Sequence, residues 1–109
     1  MRFGVVYDRE EPVGILAQGR KDYRFRYISS YLRKKDAPPV SLTLRKQGGT
    51  FKSPHLFAFF YGLLAEGVQK ERQCRALKLD EEDFLGRLIK TSKYDCIGAV
   101  SVRAKGDRP

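Results

Sequence analysis

The residue types that most often perform catalysis are few in this chain and scattered along it. His55 is the only histidine, and it follows Pro54 in a predicted first helical turn, where a surface or capping role is more common than ligation. Cys74 and Cys96 are the only cysteines, and their spacing fits no zinc motif. No serine, cysteine or histidine stands in a recognisable nucleophile motif. We therefore expect neither a catalytic residue nor a metal site.

Two further patterns could be read as ligand sites, but each has a simpler explanation. Glu81, Glu82 and Asp83 fall in a predicted first helical turn, where the helix dipole stabilises carboxylates without any metal. Gly48 and Gly49 lie in a stretch that lacks the GxxxxGK[ST] pattern of a phosphate-binding loop, so we expect a flexible connector. The chain also lacks asparagine, which holds the second metal ion in protein-kinase sites. We expect no cofactor and no enzymatic activity.

The composition indicates one basic globular domain without a membrane span. The 109 residues include 22 lysines and arginines against 13 acidic residues, which gives a net charge of +9. This charge favours encounter with polyanions or with an acidic protein, although it could serve solubility alone. No apolar run approaches the roughly 20 residues that cross a bilayer. Acidic residues follow the first short apolar run, where a signal peptide would continue, so we expect a cytoplasmic protein.

Alternating apolar and polar residues in the first part of the chain predict an antiparallel meander. Its three strands are expected over residues 3–7, 12–18 and 23–27. In the third strand, Tyr23, Phe25 and Tyr27 occupy alternate positions with Arg24 and Arg26 between them. This period of two places the aromatic residues on one face and the arginines on the other. We expect the aromatic residues in the core, and the alternative is an exposed surface on which nucleic-acid bases stack.

The middle of the chain predicts another strand, a loop and a central helix. Residues 40–44 alternate as a strand, and residues 45–52 form a basic loop that contains glycine. Ser53 followed by Pro54 is typical of a helix start. The helix that follows is apolar around more than half of its circumference, so it should be central and should end at Gly67.

The last part of the chain predicts two more helices and a final strand. A basic helix is expected over residues 68–79, a third helix begins at Asp80, and residues 97–102 close the sheet. The fold class is therefore α+β, with a small antiparallel sheet, made of the meander and the later strands, packed with about three helices. We expect a single domain over residues 1–103 and a polar tail over residues 104–109.

Two surface regions are candidates for binding a partner. The first is the end of the central helix, a common docking point, unless its residues belong to the core. Its candidate residues are Tyr61, Gly62, Ala65 and Glu66. The second is the basic helix, which could contact nucleic acid or an acidic partner. Its candidate residues are Lys70, Arg72, Arg75 and Lys78.

The order of these elements resembles the N-terminal subdomain of HipA-type serine/threonine kinase toxins over nearly the whole chain. Phe59 and Phe60 stand just ahead of the sequence GLLAEG, as in that family. Asp83 and Phe84 follow, and then the sequence DCIGAV at residues 95–100, in the family's order and spacing. The resemblance implies the fold of that subdomain.

Two positions depart from the family's pattern. Gly62 stands where the family usually has asparagine, and Ala65 stands where it usually has proline. Where those family residues touch the kinase, the interface of this chain must differ in detail. The nucleotide-binding and catalytic residues of the family's kinase body have no matching positions here.

A freestanding subdomain of this kind resembles the small HipS-type subunit of the three-gene HipBST arrangement. The resemblance implies that the subunit docks on a shortened HipA-like (HipT-like) kinase, and that a HipB-like helix-turn-helix protein binds the operator in a ternary complex. Our leading hypothesis is a non-catalytic, antitoxin-like regulatory subunit that modulates such a kinase. A small basic nucleic-acid-binding domain is the alternative, and a fragment of a longer kinase is a third interpretation.

Overall fold

The computed structural model describes residues 2–95 and 100–104, which form five strands and four helices. The strands are β1 (Arg2–Asp8), β2 (Glu11–Gln18), β3 (Tyr23–Tyr27), β4 (Phe51–Ser53) and β5 (Val100–Ala104). The helices are α1 (Ser29–Leu32), α2 (Ala58–Tyr61), α3 (Gly67–Leu77) and α4 (Phe84–Asp95). All strands join one antiparallel sheet in the order β4-β3-β2-β1-β5. The predicted α+β class is confirmed, although α1 and α2 are single turns.

The first three strands form the predicted meander, and their side chains alternate between the two faces of the sheet. Leu16 pairs with Phe25 on one face, whereas Ile15 pairs with Arg26 on the other. Phe25 is fully buried and Tyr27 is nearly so. The aromatic residues of β3 therefore face the core, as expected, and its arginines lie on the opposite face.

Helices α2 and α4 cover the aromatic face of the sheet. The ring of Phe60 in α2 lies 5.6 Å from the ring of Phe25, and Leu85 and Leu88 of α4 are fully buried in the same cluster. Gly14 allows this close packing, because a Cβ there would lie 2.7 Å from the Phe25 ring. The side chains on the other face of β1, β2 and β3 stay partly exposed.

The strand predicted over residues 40–44 is wrong, because this segment turns back on itself. The N–H of Leu44 donates to the carbonyl of Ser41 at 3.1 Å, and the Ser41 hydroxyl accepts the N–H of Thr43 at 3.2 Å. A serine side chain that bonds to nearby backbone in this way competes with strand pairing. Only an isolated bridge between Ser41 and Leu44 remains.

The fourth strand of the sheet lies instead in the segment predicted as a loop over residues 45–52. In β4, Phe51 pairs with Phe25 and Lys52 pairs with Arg24. The rings of Phe51 and Phe25 are 6.4 Å apart, so β4 gains its stability from a residue far away in the chain. Strand preference depends strongly on such cross-strand packing, which a short local pattern does not reveal.

The central helix is much shorter than predicted, and its expected start at Ser53 is wrong. Ser53 is the last residue of β4 and pairs with Tyr23, so its backbone belongs to the sheet. Its hydroxyl accepts the N–H of His55 at 3.2 Å, and the chain becomes helical only over Ala58–Tyr61. Gly67 has the predicted left-handed backbone, with a φ of +61°, but it begins α3 rather than ending the central helix.

Helix α4 begins at Phe84 rather than at Asp80, because the acidic residues before it form two successive caps. The Asp80 carboxylate accepts the N–H of Glu82 at 2.8 Å. The Asp83 carboxylate accepts the N–H of Gly86 at 3.2 Å and so caps the first turn of α4. The prediction that Glu81, Glu82 and Asp83 lie in the first helical turn is therefore wrong, because all three precede Phe84 and only Asp83 caps the helix.

The last described strand, β5, pairs with β1 and places Val102 opposite Val6. Residues 97–99 of the strand predicted over 97–102 lie outside the described residues, and so do residues 105–109. None of the helices in the described part of the chain is long and apolar enough to cross a membrane.

Candidate partner-binding site

A cleft of about 340 Å³ lies where the end of α2, the start of α3 and the turn before α4 meet. Three of the four residues predicted to bind a partner line this cleft, namely Tyr61, Ala65 and Glu66. Lys70, which the sequence assigns to the basic helix, lines it as well. We refer to this feature as the Tyr61 cleft. The structure thus brings together residues from both predicted surfaces.

The fourth predicted residue, Gly62, is exposed beside the cleft and ends α2. Its φ of −65° is an ordinary right-handed value, so the backbone does not require glycine here. A Cβ would lie 3.4 Å from the nearest heavy atom, the carbonyl oxygen of Phe59. A small side chain would therefore fit at this position.

Tyr61 provides the open aromatic wall of the cleft. Its side chain is 46% exposed, and its ring stands edge-on to Phe84 with the centroids 5.6 Å apart. The contact with Phe84 orients the ring, while the exposed remainder is free to pack against another molecule. Partly exposed tyrosines in fixed orientations are frequent energetic anchors of protein interfaces.

Arg87 is buried beneath the cleft and connects two segments of its backbone by hydrogen bonds. Its side chain is only 4% exposed, and its guanidinium donates to the carbonyl of Ala65 at 2.8 Å and to the carbonyl of Glu81 at 3.1 Å. These two bonds connect the segment before α3 to the turn before α4. The contribution of Ala65 to the site is therefore its main-chain carbonyl.

Arg87 is the functional residue that sequence reasoning missed. A basic residue on a helix is usually exposed, and nothing near it in the chain indicates its distant partner in Ala65. One signal was present, because Arg87 stands three residues after Phe84, on the flank of the apolar stripe of α4. A cation in that position must find polar partners when the stripe is buried.

The charges around the cleft are arranged unevenly. The Nζ of Lys70 lies 3.1 Å from Oε1 of Glu81, and this hydrogen bond raises the pKa of Lys70. Glu66 directly precedes α3 in an extended conformation, is exposed, and forms no ion pair with any residue of the described ranges. The cleft therefore presents an unpaired carboxylate near an open aromatic ring, which suits a cationic group on a partner.

The other predicted basic residues lie away from the cleft. Arg72 and Arg75 are exposed on the outer side of α3, three positions apart, whereas Cys74 points inward and is buried. Lys78 follows the end of the helix and is exposed as well. Lys70 does not belong to this group, so the predicted basic surface contains three residues rather than four.

Within residues 2–95 and 100–104, no group of three histidine, cysteine or acidic residues is placed to hold a metal ion. Asp83, the acidic residue nearest to α4, is already bonded to the N–H of Gly86 and forms an ion pair with Arg2 at 2.6 Å.

The comparisons with known proteins agree with this fold. The family model described as the HipA N-terminal domain matches residues 5–103. A solved structure described as the N-terminal domain of HipA toxin has a TM-score of 0.72, with 22% identity over 99% of this chain and 96% of that chain. No curated protein matches the sequence. The structural likeness shows the fold, and since the family model spans nearly all of the sequence, the chain belongs to the family of HipA N-terminal domains.

Proposed function

We propose that this domain is a non-catalytic, antitoxin-like regulatory module that docks on a HipA-like serine/threonine kinase and modulates its activity. Family membership supports the association with HipA-type toxin systems. The observation that carries the proposal is the Tyr61 cleft, in which an open ring and the unpaired carboxylate of Glu66 stand on a backbone held by Arg87. The proposal places the module in the cytoplasm together with the kinase.

The ordered backbone of the cleft is important for affinity. Binding costs free energy when loops and side chains must become ordered at the interface, and a preformed surface reduces that cost. A specific interface buries upwards of about 1,000 Å² in total, so the kinase must contact residues around the cleft as well. A module docked in this way can restrain the kinase by biasing the loop over its nucleotide site or by obstructing its substrate.

Co-purification with a HipA-like kinase from the same source tests the docking. We expect a stable complex and reduced kinase toxicity when both proteins are produced together. Replacing Tyr61 by alanine should cost about 2 kcal/mol of binding free energy, as for other interface anchors, which is roughly thirtyfold in affinity. Glu66→Lys should weaken the complex by reversing the charge beside the ring.

Arg72→Glu is the matched control, because it reverses a charge on the outer side of α3, away from the cleft. It should leave the affinity for the kinase within about twofold. Absence of a complex, together with unchanged toxicity, would refute the proposed function. Equal affinities of the Tyr61→Ala, Glu66→Lys and unmodified proteins would instead show that the kinase binds elsewhere on the domain.

A second candidate function is contact with DNA, alone or in a ternary complex with a HipB-like helix-turn-helix protein. The exposed side chains of Arg72, Arg75 and Lys78 favour it, since none of them has an ion pair within the described part of the chain. Stacking of bases on the β3 aromatic residues is wrong as a mechanism, because Phe25 and Tyr27 are buried.

A gel shift at several salt concentrations tests the DNA contact. Three phosphate contacts predict that log Kd changes with log salt with a slope of about 2.7 in magnitude. Changing Arg72, Arg75 and Lys78 to glutamine should abolish the shift, while Tyr61→Ala should leave it unchanged. A shift that persists in the triple variant would contradict this role for the outer side of α3.

A further inference from the structure

The face of the sheet opposite the helices has an ordered arrangement of apolar and basic side chains. Two rows of side chains run across the sheet from β1, and each changes from apolar on β1 to basic on β3. One row runs from Val5 through Ile15 to Arg26. The other row runs from Phe3 on β1 to Lys52 on β4, and its members in order are Phe3, Ala17, Arg24 and Lys52.

These side chains line a cleft of about 600 Å³, which we call the sheet cleft. Its floor is apolar, and Phe3 remains 37% exposed there. The sheet cleft shares no lining residue with the Tyr61 cleft, which lies among the helices on the other side of the sheet.

The charges of the sheet cleft have one sign. Arg24, Arg26 and Lys52 line it, and no carboxylate does among the residues that the structure describes. Arg24 is paired with Asp22 at 3.1 Å, whereas Arg26 and Lys52 have no ion pair with a described residue. Two cations that no described residue neutralises therefore lie beside a partly exposed apolar strip.

A fourth cation on the same face shows the contrast. Arg103 of β5 lies opposite Val5, but Glu10 pairs with it at 3.2 Å and its guanidinium covers the ring of Tyr7 at 4.2 Å. The charge of Arg103 is therefore neutralised by another residue of the domain. Among the described residues of this face, the cations that have no ion pair lie on β3 and β4.

We propose that the sheet cleft binds an acidic amphipathic helix of a partner protein. Such a helix presents an apolar stripe with carboxylates along its flank, which matches an apolar strip with Arg26 and Lys52 along its edge. A single-stranded nucleic acid fits less well, because it needs several exposed rings for stacking, and the rings of β3 face the core.

A fluorescein-labelled synthetic peptide is the probe. It carries leucines spaced three and four residues apart and glutamates at the other positions, and its binding to the full chain is followed by fluorescence anisotropy. We expect saturable binding that weakens as salt is added. A peptide with the same residues in scrambled order, and one with lysine in place of glutamate, should each bind at least about tenfold more weakly.

Charge reversal locates the binding. The double variant Arg26→Glu/Lys52→Glu should bind the acidic peptide with an affinity that is at least about tenfold lower. The matched control is Arg33→Glu/Lys35→Glu, which makes the same change in net charge at exposed positions beside α1 and should keep the affinity within about twofold.

A gain of affinity provides a readout that unfolding cannot imitate. Asp22→Asn removes the carboxylate that pairs with Arg24, so the peptide should bind about twofold more tightly. Equal losses in the two double variants would overturn the proposal, because they would show only an effect of net charge. Tighter binding of a short oligothymidine than of the peptide, lost in Arg26→Glu/Lys52→Glu, would also overturn it and would assign the face to nucleic acid.

Discussion

At the scale of single residues, Arg87 shows how one buried side chain organises a surface. Its guanidinium bonds to the main-chain carbonyls of Ala65 and Glu81, which belong to two different connections. A buried cation is tolerated when its N–H groups find acceptors, and carbonyl oxygens serve here. The backbone of the Tyr61 cleft is therefore ordered before any partner binds.

This role predicts the effect of replacing Arg87 by methionine, which keeps much of the bulk but removes the donors. The two carbonyls lose their partners, so we expect a loss of about 1–3 kcal/mol in the free energy of unfolding. Amide hydrogens of residues 62–66 should exchange faster. Urea unfolding and hydrogen exchange measure the two effects.

Arg72→Met is the control for Arg87→Met, because it removes the same charge at an exposed position and should change stability by no more than about 0.5 kcal/mol. Two variants of equal stability, with the same exchange rates at residues 62–66, would show that Arg87 does not hold the cleft.

Part of this site could be predicted from the sequence. The part that could not be predicted depends on contacts between residues far apart in the chain. Tyr61, Ala65 and Glu66 are close together in the chain, so they lie near one another wherever the central helix ends. Arg87 acts through a carbonyl 22 residues away, and no local pattern encodes such a bond. The ion pair that brings Lys70 into the cleft depends on Glu81 in the same way.

At the scale of elements, the end of α3 has a residue that is poorly suited to its backbone. Lys78 has a φ of +55°, while the N–H of Leu79 bonds to the carbonyl of Cys74 at 2.8 Å in the pattern of a Schellman motif. The left-handed conformation costs a residue with a side chain roughly 1 kcal/mol, and glycine avoids this cost.

Lys78→Gly should therefore stabilise the protein by about 0.5–1 kcal/mol, measured as a higher midpoint of urea unfolding. Arg75→Gly removes the same charge from inside α3 and should destabilise it by about 1 kcal/mol. A lower midpoint for Lys78→Gly than for the unmodified chain would contradict the assigned helix end.

Elements that depend on local patterns were predicted better than elements that depend on distant partners. The meander was predicted from its alternation and the basic helix from its composition, and both are present with boundaries shifted by one or two residues. In contrast, β4 forms because Phe51 meets Phe25, and the same pairing draws Ser53 into the sheet and delays the helix after it. A helix-start signal is thus overruled by strand pairing.

At the scale of the whole molecule, the positive charge is not spread evenly. Exposed cations lie on the outer side of α3, on the open face of β3 and β4 and beside α1, whereas the Tyr61 cleft carries Glu66, which has no ion pair with a described residue. The overall charge of +9 therefore says little about any one partner. The order of elements was sufficient to predict the family, but the distribution of charge required the sheet register.

The sheet separates the two clefts, since α2 and α4 are on one side and Arg26 and Lys52 are on the other. The two clefts share no lining residue, so a molecule in one does not fill the other. Any influence of one on the other has to pass through the side chains sandwiched in the middle, such as Leu16 and Phe25.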